Sequence, residues 1–322
     1  VLALFYGGSL VHHNDLSGGI LVSYSLIALQ VVMALSVLPP VLADITNAFL
    51  AGRSILDLID RQPDVNAKGG LTLPSCEGRL EFRAVSFSYP SQPDLAALND
   101  VSFVLEPGAH AAFFGTHGAG KSTVLALVER FFDCAEGLVL LDDTDISTYD
   151  PSWLHYQIAL VSQEPVVFAT SVAENITMGQ SGARTAVEAA GRKSGLDEHV
   201  SSLPDGYDAQ LGLYGHALSP AGKRALAVAR VLMKDARILL LDAPTASLSP
   251  AEAAKVTRGL QEAMKGRTTL SVSSAPEPFQ ADATHVGVLN KGSLVEFGRP
   301  AELQRGNAAY KRLLERGGWQ AG

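Results

Sequence analysis

The feature that most constrains this chain is the run GTHGAGKS at residues 115–122. It fits the pattern G-x-x-x-x-G-K-[ST], in which glycines let backbone N–H groups close around phosphate oxygens. An apolar run precedes it at residues 111–114, and apolar side chains recur at helical spacing from Thr123 to Phe132. The sequence therefore predicts a strand, a phosphate-binding loop and a helix whose positive end faces the phosphates.

Each residue of this segment is a candidate phosphate or metal contact. The Lys121 ammonium is expected at the β- and γ-phosphates, and the Ser122 hydroxyl at a Mg²⁺ ion. The remaining candidates surround these two: Gly115, Thr116, His117, Gly118, Ala119, Gly120 and Thr123. A second apolar strand at residues 238–241 is followed by Asp242, whose carboxylate is then placed to hold Mg²⁺ beside the loop.

Charge, cysteine content and length narrow the class of protein. The 322 residues carry a formal net charge of −8 and no basic tract, which argues against nucleic acid as a partner. Cys76 and Cys134 are far apart and match no metal-ligand spacing, so we expect free thiols in a reducing compartment. The length suggests two structural units. Because Val1 lies inside an apolar run, we expect a fragment of a longer polypeptide.

The N-terminal segment predicts membrane helices. Residues 16–43 contain no charged side chain, and as a helix they would exceed the ~30 Å hydrocarbon core of a bilayer. Residues 1–13 are expected to end a preceding span, and Pro39-Pro40 to kink or end the second one. Residues 44–78 are then a cytosolic helical extension and a linker. The positive charges that favour this side as cytoplasmic are Arg53, Arg61 and Lys68. The alternative is a buried helix of a soluble protein.

Further motifs around the phosphate loop make the pattern specific. In chain order they are Tyr89-Pro90, the loop itself, Ser162-Gln163-Glu164-Pro165, Leu218-Ser219 followed by AVAR, and LLLD ending at Asp242. Over essentially its whole length the chain thereby resembles an ABC transporter of the B subfamily, from the last membrane helix through the nucleotide-binding domain. Half-transporters of mitochondria and peptide exporters of the antigen-processing type are the nearest groups, and both remain open.

The resemblance implies a fold and a set of roles. It implies an α/β P-loop NTPase domain at residues 79–322 with a helical subdomain at 164–225, preceded by one or two transmembrane segments of an all-α membrane domain. Tyr89 would stack on adenine. Gln163 would contact Mg²⁺ and the attacking water, and Asp242 would hold Mg²⁺ through water. ATP would lie between one subunit's phosphate loop and the other subunit's signature segment: Ser219, Pro220, Ala221 and Gly222.

This chain departs from the family pattern at the positions that hydrolysis needs. Ala243 stands where the family has the Glu that polarises water, and Ser274 where it has a switch His. Neither alanine nor serine replaces a general base, which is typically worth about 10²–10⁴ in rate. Pro220 and Ala221 alter the signature, because proline lacks an N–H and alanine adds a Cβ where backbone should approach phosphate.

The leading hypothesis is therefore an ATP-binding subunit of a membrane exporter that is hydrolysis-deficient at its own site. It would require ATP and Mg²⁺, a lipid membrane and a second half-transporter, and a heterodimer is favoured because a homodimer would damage both composite sites. The nucleotide-binding domain would face the cytosol or the mitochondrial matrix, and the transported substrate is not readable. Three alternatives stay open: a slow ATPase that recruits Asp143 or Glu164 as base, a nucleotide-holding regulatory protein without transport, and a decaying gene copy.

Overall fold

The computed structural model describes residues 2–13, 16–63, 65, 69–180, 182–305 and 309–315. The chain divides into two compact units, Val1–Pro63 and Asp64–Gly322, as its length predicts. Two residues used in the predictions above, Val1 and Lys68, lie outside the described residues.

The first unit is built from apolar helices whose side chains are uncovered. The helices among its described residues are Leu2–His12 (α1), Gly18–Ser36 (α2) and Leu38–Ile59 (α3). Neither α2 nor α3 has a buried residue, and large apolar side chains such as Met33 and Phe49 are exposed. Within the described residues, Gly18–Ile59 is the one helical stretch long and apolar enough to cross a membrane, and an 18-residue window of it has a mean hydropathy of 2.2. Exposed apolar surface on this scale indicates contact with lipid or with other helices.

The predicted span at residues 16–43 is not one uninterrupted helix. The helix α2 ends at Ser36, and α3 begins at Leu38 after the single residue Val37. The break falls at Val37, two residues before the prolines at which a kink or end was expected, and Pro39 and Pro40 lie in the first turn of α3. A proline there costs no hydrogen bond, since the first N–H groups of a helix have no partner within it. The expected boundary at residue 44 consequently falls inside α3.

The second unit contains two β-sheets. A four-stranded sheet has the order β2-β1-β4-β5, and a six-stranded sheet has the order β10-β9-β3-β8-β7-β6. All neighbours in the six-stranded sheet are parallel except β9 and β10. The strands are Leu80–Ser88 (β1), Ala96–Leu105 (β2), His110–Gly115 (β3), Glu136–Leu141 (β4), Thr144–Asp145 (β5), Ile158–Val161 (β6), Ile238–Asp242 (β7), Thr268–Ser273 (β8), His285–Asn290 (β9) and Ser293–Gly298 (β10).

Helices complete the second unit and confirm the predicted α/β class. They are Lys121–Val128 (α4), Pro151–Gln157 (α5), Val172–Thr177 (α6), Arg184–Ser194 (α7), Asp197–Val200 (α8), Pro220–Lys234 (α9), Pro250–Met264 (α10), Pro300–Leu303 (α11) and Ala309–Glu315 (α12), with 3-10 helices at Ile146–Thr148, Gly206–Asp208, Leu213–Gly215 and Pro278–Gln280. The helical region between β6 and β7 runs on to Lys234, past the expected end at 225.

Residues 69–78, at the end of the expected linker, form hydrogen bonds with the second unit. The Leu71 N–H donates to the Thr148 carbonyl at 2.8 Å, and the Trp153 indole donates to the Leu73 carbonyl at 3.0 Å. The segment is therefore part of the second unit and lies against the residues around Tyr149.

Stacked aromatic side chains join the two sheets. Phe82 and Phe103 of the four-stranded sheet lie 4.6 Å apart between ring centroids, and Phe103 lies 5.0 Å from Phe113 of β3. Each of these rings is buried, so β3, which leads into the phosphate loop, is fixed from behind by the core.

The helix after the phosphate loop is shorter than predicted. It ends at Val128, because the Arg130 backbone takes a left-handed conformation with φ 53°. Phe131, expected on its apolar face, is 56% exposed. Val124 and Leu127 of the same predicted face are buried, so the periodicity is correct for two turns and fails in the third.

Burial of His110 predicts a loss of stability in acid. The side chain is 6% exposed, its Nε2 lies 2.9 Å from the Ser271 hydroxyl, and burial lowers its pKa from 6.5 to about 4, opposed by the charge of Asp282. Because the folded pKa is the lower one, the contribution is complete above pH 6.5 and is lost as the pH falls towards 4. We expect the free energy of unfolding to fall by about 3 kcal/mol over that window from this group.

Urea unfolding of the full chain in detergent at pH 7 and pH 4.5 checks this value. His110→Gln should unfold with a smaller difference between the two pH values than the native chain. His216→Gln, at an exposed position, is the matched control and should behave like the native chain. Equal pH dependence in the native chain and His110→Gln would contradict the prediction.

Candidate functional site

The predicted site residues follow neighbouring strands of the six-stranded sheet. The phosphate loop follows β3, Ser274 follows β8, Ala243 follows β7, and Gln163 lies two residues beyond β6. Register pairs Phe114 with Ser273 in β8, and Asp242 with Val272. Because parallel strands end at the same edge of a sheet, residues from four distant parts of the chain meet there.

The phosphate loop has the backbone conformation that its glycines permit. Gly118 and Gly120 have φ values of 75° and 97°, in the left-handed region. A Cβ at position 120 would lie 2.6 Å from the carbonyl oxygen of Ala97, so this position needs glycine for space as well as for conformation. Gly120 is also the N-cap of α4, whose N–H groups and dipole then favour an anion at the loop.

Lys121 lies over the loop. Its ammonium donates to the carbonyl oxygens of Gly115 at 2.9 Å and Thr116 at 2.8 Å. Burial lowers the pKa of Lys121, and the charge of Asp242 opposes that shift. The ammonium is thus held among backbone groups of the loop and beside a carboxylate, within the segment predicted to hold phosphates.

The residues predicted to bind Mg²⁺ partly meet. The Ser122 hydroxyl donates to a carboxylate oxygen of Asp242 at 3.3 Å. Burial raises the pKa of Asp242, while the Ser122 hydrogen bond and Lys121 lower it. Gln163 is exposed near the same sheet edge. Hydroxyl, carboxylate and amide oxygens suit Mg²⁺, which takes its other ligands from water and phosphate oxygens. The donor set therefore fits a magnesium nucleotide.

A cleft of about 550 Å³ opens beside the loop and beside Tyr89. The Tyr89 hydroxyl lies 3.0 Å from that of Thr123, and its ring contacts Phe132 edge-on at 5.3 Å. Tyr89 thus lies where a base attached to loop-bound phosphates would extend. The rest of the wall includes Gln92, Leu95, Ala97, His117 and Lys291. Leu95 and Lys291 lie outside every motif, and Lys291 could have been identified only from the strand order, which places β9 beside β3.

The two departures from the family pattern lie next to the loop. The Ala243 N–H donates to the Val272 carbonyl at 2.9 Å, which fixes Ala243 beside the end of β8. Ser274, two residues after Val272, is exposed at the same edge. Neither side chain carries a group that takes a proton from water at neutral pH.

The two candidate replacement bases, Asp143 and Glu164, lie in different parts of the second unit. Asp143 lies between β4 and β5 in the four-stranded sheet, where Arg79 donates to it at 2.6 Å. It follows no strand of the six-stranded sheet, which excludes it as a base at this edge. Glu164 is exposed beside Gln163 and keeps its place as a candidate.

Sequence reasoning missed a third carboxylate, Glu277. It follows β8, and its Oε2 accepts from the Thr245 N–H at 2.9 Å and from the Thr245 hydroxyl. Burial raises its pKa, the Thr245 hydrogen bonds and Arg224 lower it, and Asp242 adds to the rise. No motif contains Glu277. The one sequence signal for it is its place shortly after the apolar strand β8, directly before a proline.

The signature segment forms a helix start. Ser219 is the N-cap of α9 and accepts from the Gly222 N–H at 3.1 Å, with Pro220 in the first turn. Ser219 and Pro220 are exposed, whereas Ala221 and Gly222 are buried. None of the four lines the cleft beside the phosphate loop. The segment is thus a capped helix start, partly exposed and separate from this cleft.

Three comparisons bear on this site. Residues 98–246 match the family model described as ABC transporter. The chain is 39% identical to ABC transporter B family member 1 of Arabidopsis thaliana over 98% of this chain and 25% of that protein. It is 36% identical to the mitochondrial potassium channel ATP-binding subunit of Xenopus tropicalis over 97% of this chain and 46% of that protein.

A solved structure shares the fold. It is the structure of a bacterial Atm1-family ABC exporter with ATP bound, which matches with a TM-score of 0.77 and 29% sequence identity over 86% of this chain and 48% of that one. The chain thus spans less than half the length of these similar proteins.

Proposed function

This chain is a member of the ABC transporter family, and from that premise we propose that it is the ATP-binding part of a membrane exporter subunit with little or no hydrolysis at its own site. The observation that carries the proposal is the juxtaposition at one sheet edge of an intact phosphate loop with Ala243 and Ser274.

The binding part of the proposal rests on groups that fit Mg-ATP. The loop's N–H groups and the Lys121 ammonium would hold the phosphates, and Ser122, Gln163 and Asp242 would hold Mg²⁺. Tyr89 would stack on adenine above the cleft wall. The bound nucleotide supplies a phosphoryl group whose transfer to water needs a positioned base.

The hydrolysis part rests on what stands beside these groups. Ala243 cannot orient water, and Ser274 cannot supply an imidazole at the γ-phosphate. Both changes act on one chemical step, so their effects on rate are not additive. ATP binding without turnover would serve to hold a closed dimer and to bias the membrane helices.

We also propose that the chain acts in a membrane with a second, intact half-transporter. The exposed apolar helices of the first unit support the membrane location. Pro220 weakens the signature segment offered to the partner's nucleotide, because it removes one N–H donor. A homodimer would therefore carry two impaired composite sites. The domain would face the cytosol or the mitochondrial matrix, and the net charge of −8 disfavours nucleic acid.

A binding and association measurement tests this proposal. We expect the full chain in detergent to bind ATP in the presence of Mg²⁺ by isothermal titration calorimetry. Light scattering should then show ATP-dependent association with an intact B-family half-transporter, more readily than with itself. Binding without any nucleotide-dependent association would favour a regulatory protein that holds nucleotide. Absence of ATP binding would overturn the proposal.

A further inference from the structure

We propose that Glu277 is a positioning residue of the nucleotide site, and that it acts through Thr245 on the loop that follows Asp242. We call residues 243–249, between β7 and α10, the post-strand loop. The inference deepens the proposed function and rests on the proposed binding of Mg-ATP, because its effect is exerted on the Mg²⁺ side of that site.

The post-strand loop has a backbone that needs outside support. Ala243 and Ser247 have φ values of 43° and 63°, in the left-handed region that L side chains rarely adopt. Residues in such conformations persist where the surrounding structure over-determines them. Ala243 directly follows the Asp242 carboxylate, so a relaxation of its backbone would change the direction of that carboxylate.

Two charged side chains, the half-buried Glu277 and the buried Arg224, supply this support from opposite sides. From the end of β8, Glu277 accepts from both the N–H and the hydroxyl of Thr245. From α9, the Arg224 guanidinium donates to the Ala246 carbonyl at 2.9 Å. Thr245 and Arg224 are buried, and hydrogen bonds to charged groups are stronger than those between neutral groups. The negative Glu277 thereby holds Thr245, and the positive Arg224 holds the next residue, Ala246.

Hydrogen bonds also connect Glu277 to β8, one of the strands that end beside the phosphate loop. Its backbone N–H donates to the Gln280 side-chain oxygen at 2.9 Å. Gln280 in turn donates to the Ser271 hydroxyl at 3.2 Å, and Ser271 lies in β8 next to β3. Through these hydrogen bonds Glu277 has a fixed place relative to the six-stranded sheet, and its carboxylate holds the post-strand loop in a fixed place as well.

The phosphate side of the site has its own supports. Lys121 is held by Gly115 and Thr116, and the loop itself contacts the β9–β10 turn, where the Gly292 N–H donates to the Ala119 carbonyl at 3.1 Å. None of these hydrogen bonds involves Glu277. Loss of its carboxylate should accordingly weaken the Mg²⁺-dependent part of ATP binding and leave the Mg²⁺-free part unchanged.

The test compares ATP affinity of the full chain in detergent with Mg²⁺ and with EDTA, by calorimetry. We expect Glu277→Ala to reduce the gain in affinity that Mg²⁺ gives by about tenfold, as for a lost charge-assisted hydrogen bond. Glu277→Gln, which can still accept from the Thr245 N–H, should keep most of the gain. Glu129→Ala is the matched control, because Glu129 is also partly buried but lies at the end of α4 away from the post-strand loop.

A double-mutant cycle tests the route through Thr245. Thr245→Val should reduce the Mg²⁺ gain, and adding Glu277→Ala to it should cost less than Glu277→Ala costs alone. An unchanged Mg²⁺ gain in Glu277→Ala, or an equal loss of affinity with and without Mg²⁺, would overturn the inference. Failure of the native chain to bind ATP at all would instead overturn the proposed function.

Discussion

The double variant Ala243→Glu, Ser274→His should hydrolyse bound ATP about 10²–10⁴ times faster than the native chain in a single turnover. The reason is the position of residue 243. It directly follows Asp242, and its N–H donates a hydrogen bond to Val272 near the end of β8, beside the phosphate loop. A carboxylate introduced there can polarise water, which the alanine methyl cannot. Ala243 already has a φ of 43°, so exchanging one L side chain for another adds little backbone strain.

The measurement is single-turnover hydrolysis of labelled ATP by the full chain, with ATP binding confirmed for both proteins. Ala243→Gln together with Ser274→His is the matched control, since it restores the size of the side chain without its basicity. Rapid turnover by the native chain would contradict the prediction and would send the search for a base to Glu164. No gain in the double variant despite intact binding would show that altered positions elsewhere limit the reaction.

Lys121→Ala should lower the affinity for ATP by about 10- to 100-fold, the range expected when hydrogen bonds to a charged group are lost. The ammonium is half-buried at the loop and would exchange its carbonyl partners for phosphate oxygens. Its removal also takes away the positive charge opposite Asp242. Calorimetric titration with Mg-ATP measures the change.

Lys265→Ala is the control for this variant, because Lys265 is 70% exposed and pairs with Glu262 outside the site. The two variants should unfold at similar temperatures without nucleotide. An unchanged affinity in Lys121→Ala would mean that the nucleotide is not held by the phosphate loop.

The local features of the site could be predicted from the sequence. The phosphate loop and the strand before Asp242 are encoded by a few adjacent residues, since glycine conformations and apolar runs act over short distances. The Ser219 cap of α9 is equally local, because the hydroxyl and the Gly222 N–H that it binds are three residues apart. The structure has each of these where the pattern indicated.

Features that depend on distant parts of the chain could not be predicted. Glu277 meets Thr245 only because β8 lies beside β7, and Lys291 reaches the cleft only because β9 lies beside β3. The end of α4 was misplaced for a related reason, since helical periodicity continues to Phe131 while the backbone turns at Arg130.

The position of β3 between β8 and β9 sets the order in which the site can form during synthesis. The phosphate loop leaves the ribosome early, whereas both neighbours of β3 come from residues after 267. Until then β3 is an apolar strand with two unpaired edges, which invites pairing with other chains. The turn at Gly292, which donates to Ala119, is made later still. A nascent chain that ends before this turn contains the phosphate-binding sequence but lacks the strands and the turn that hold the loop in place. We therefore expect that nucleotide cannot stabilise the domain before these last strands have been synthesised.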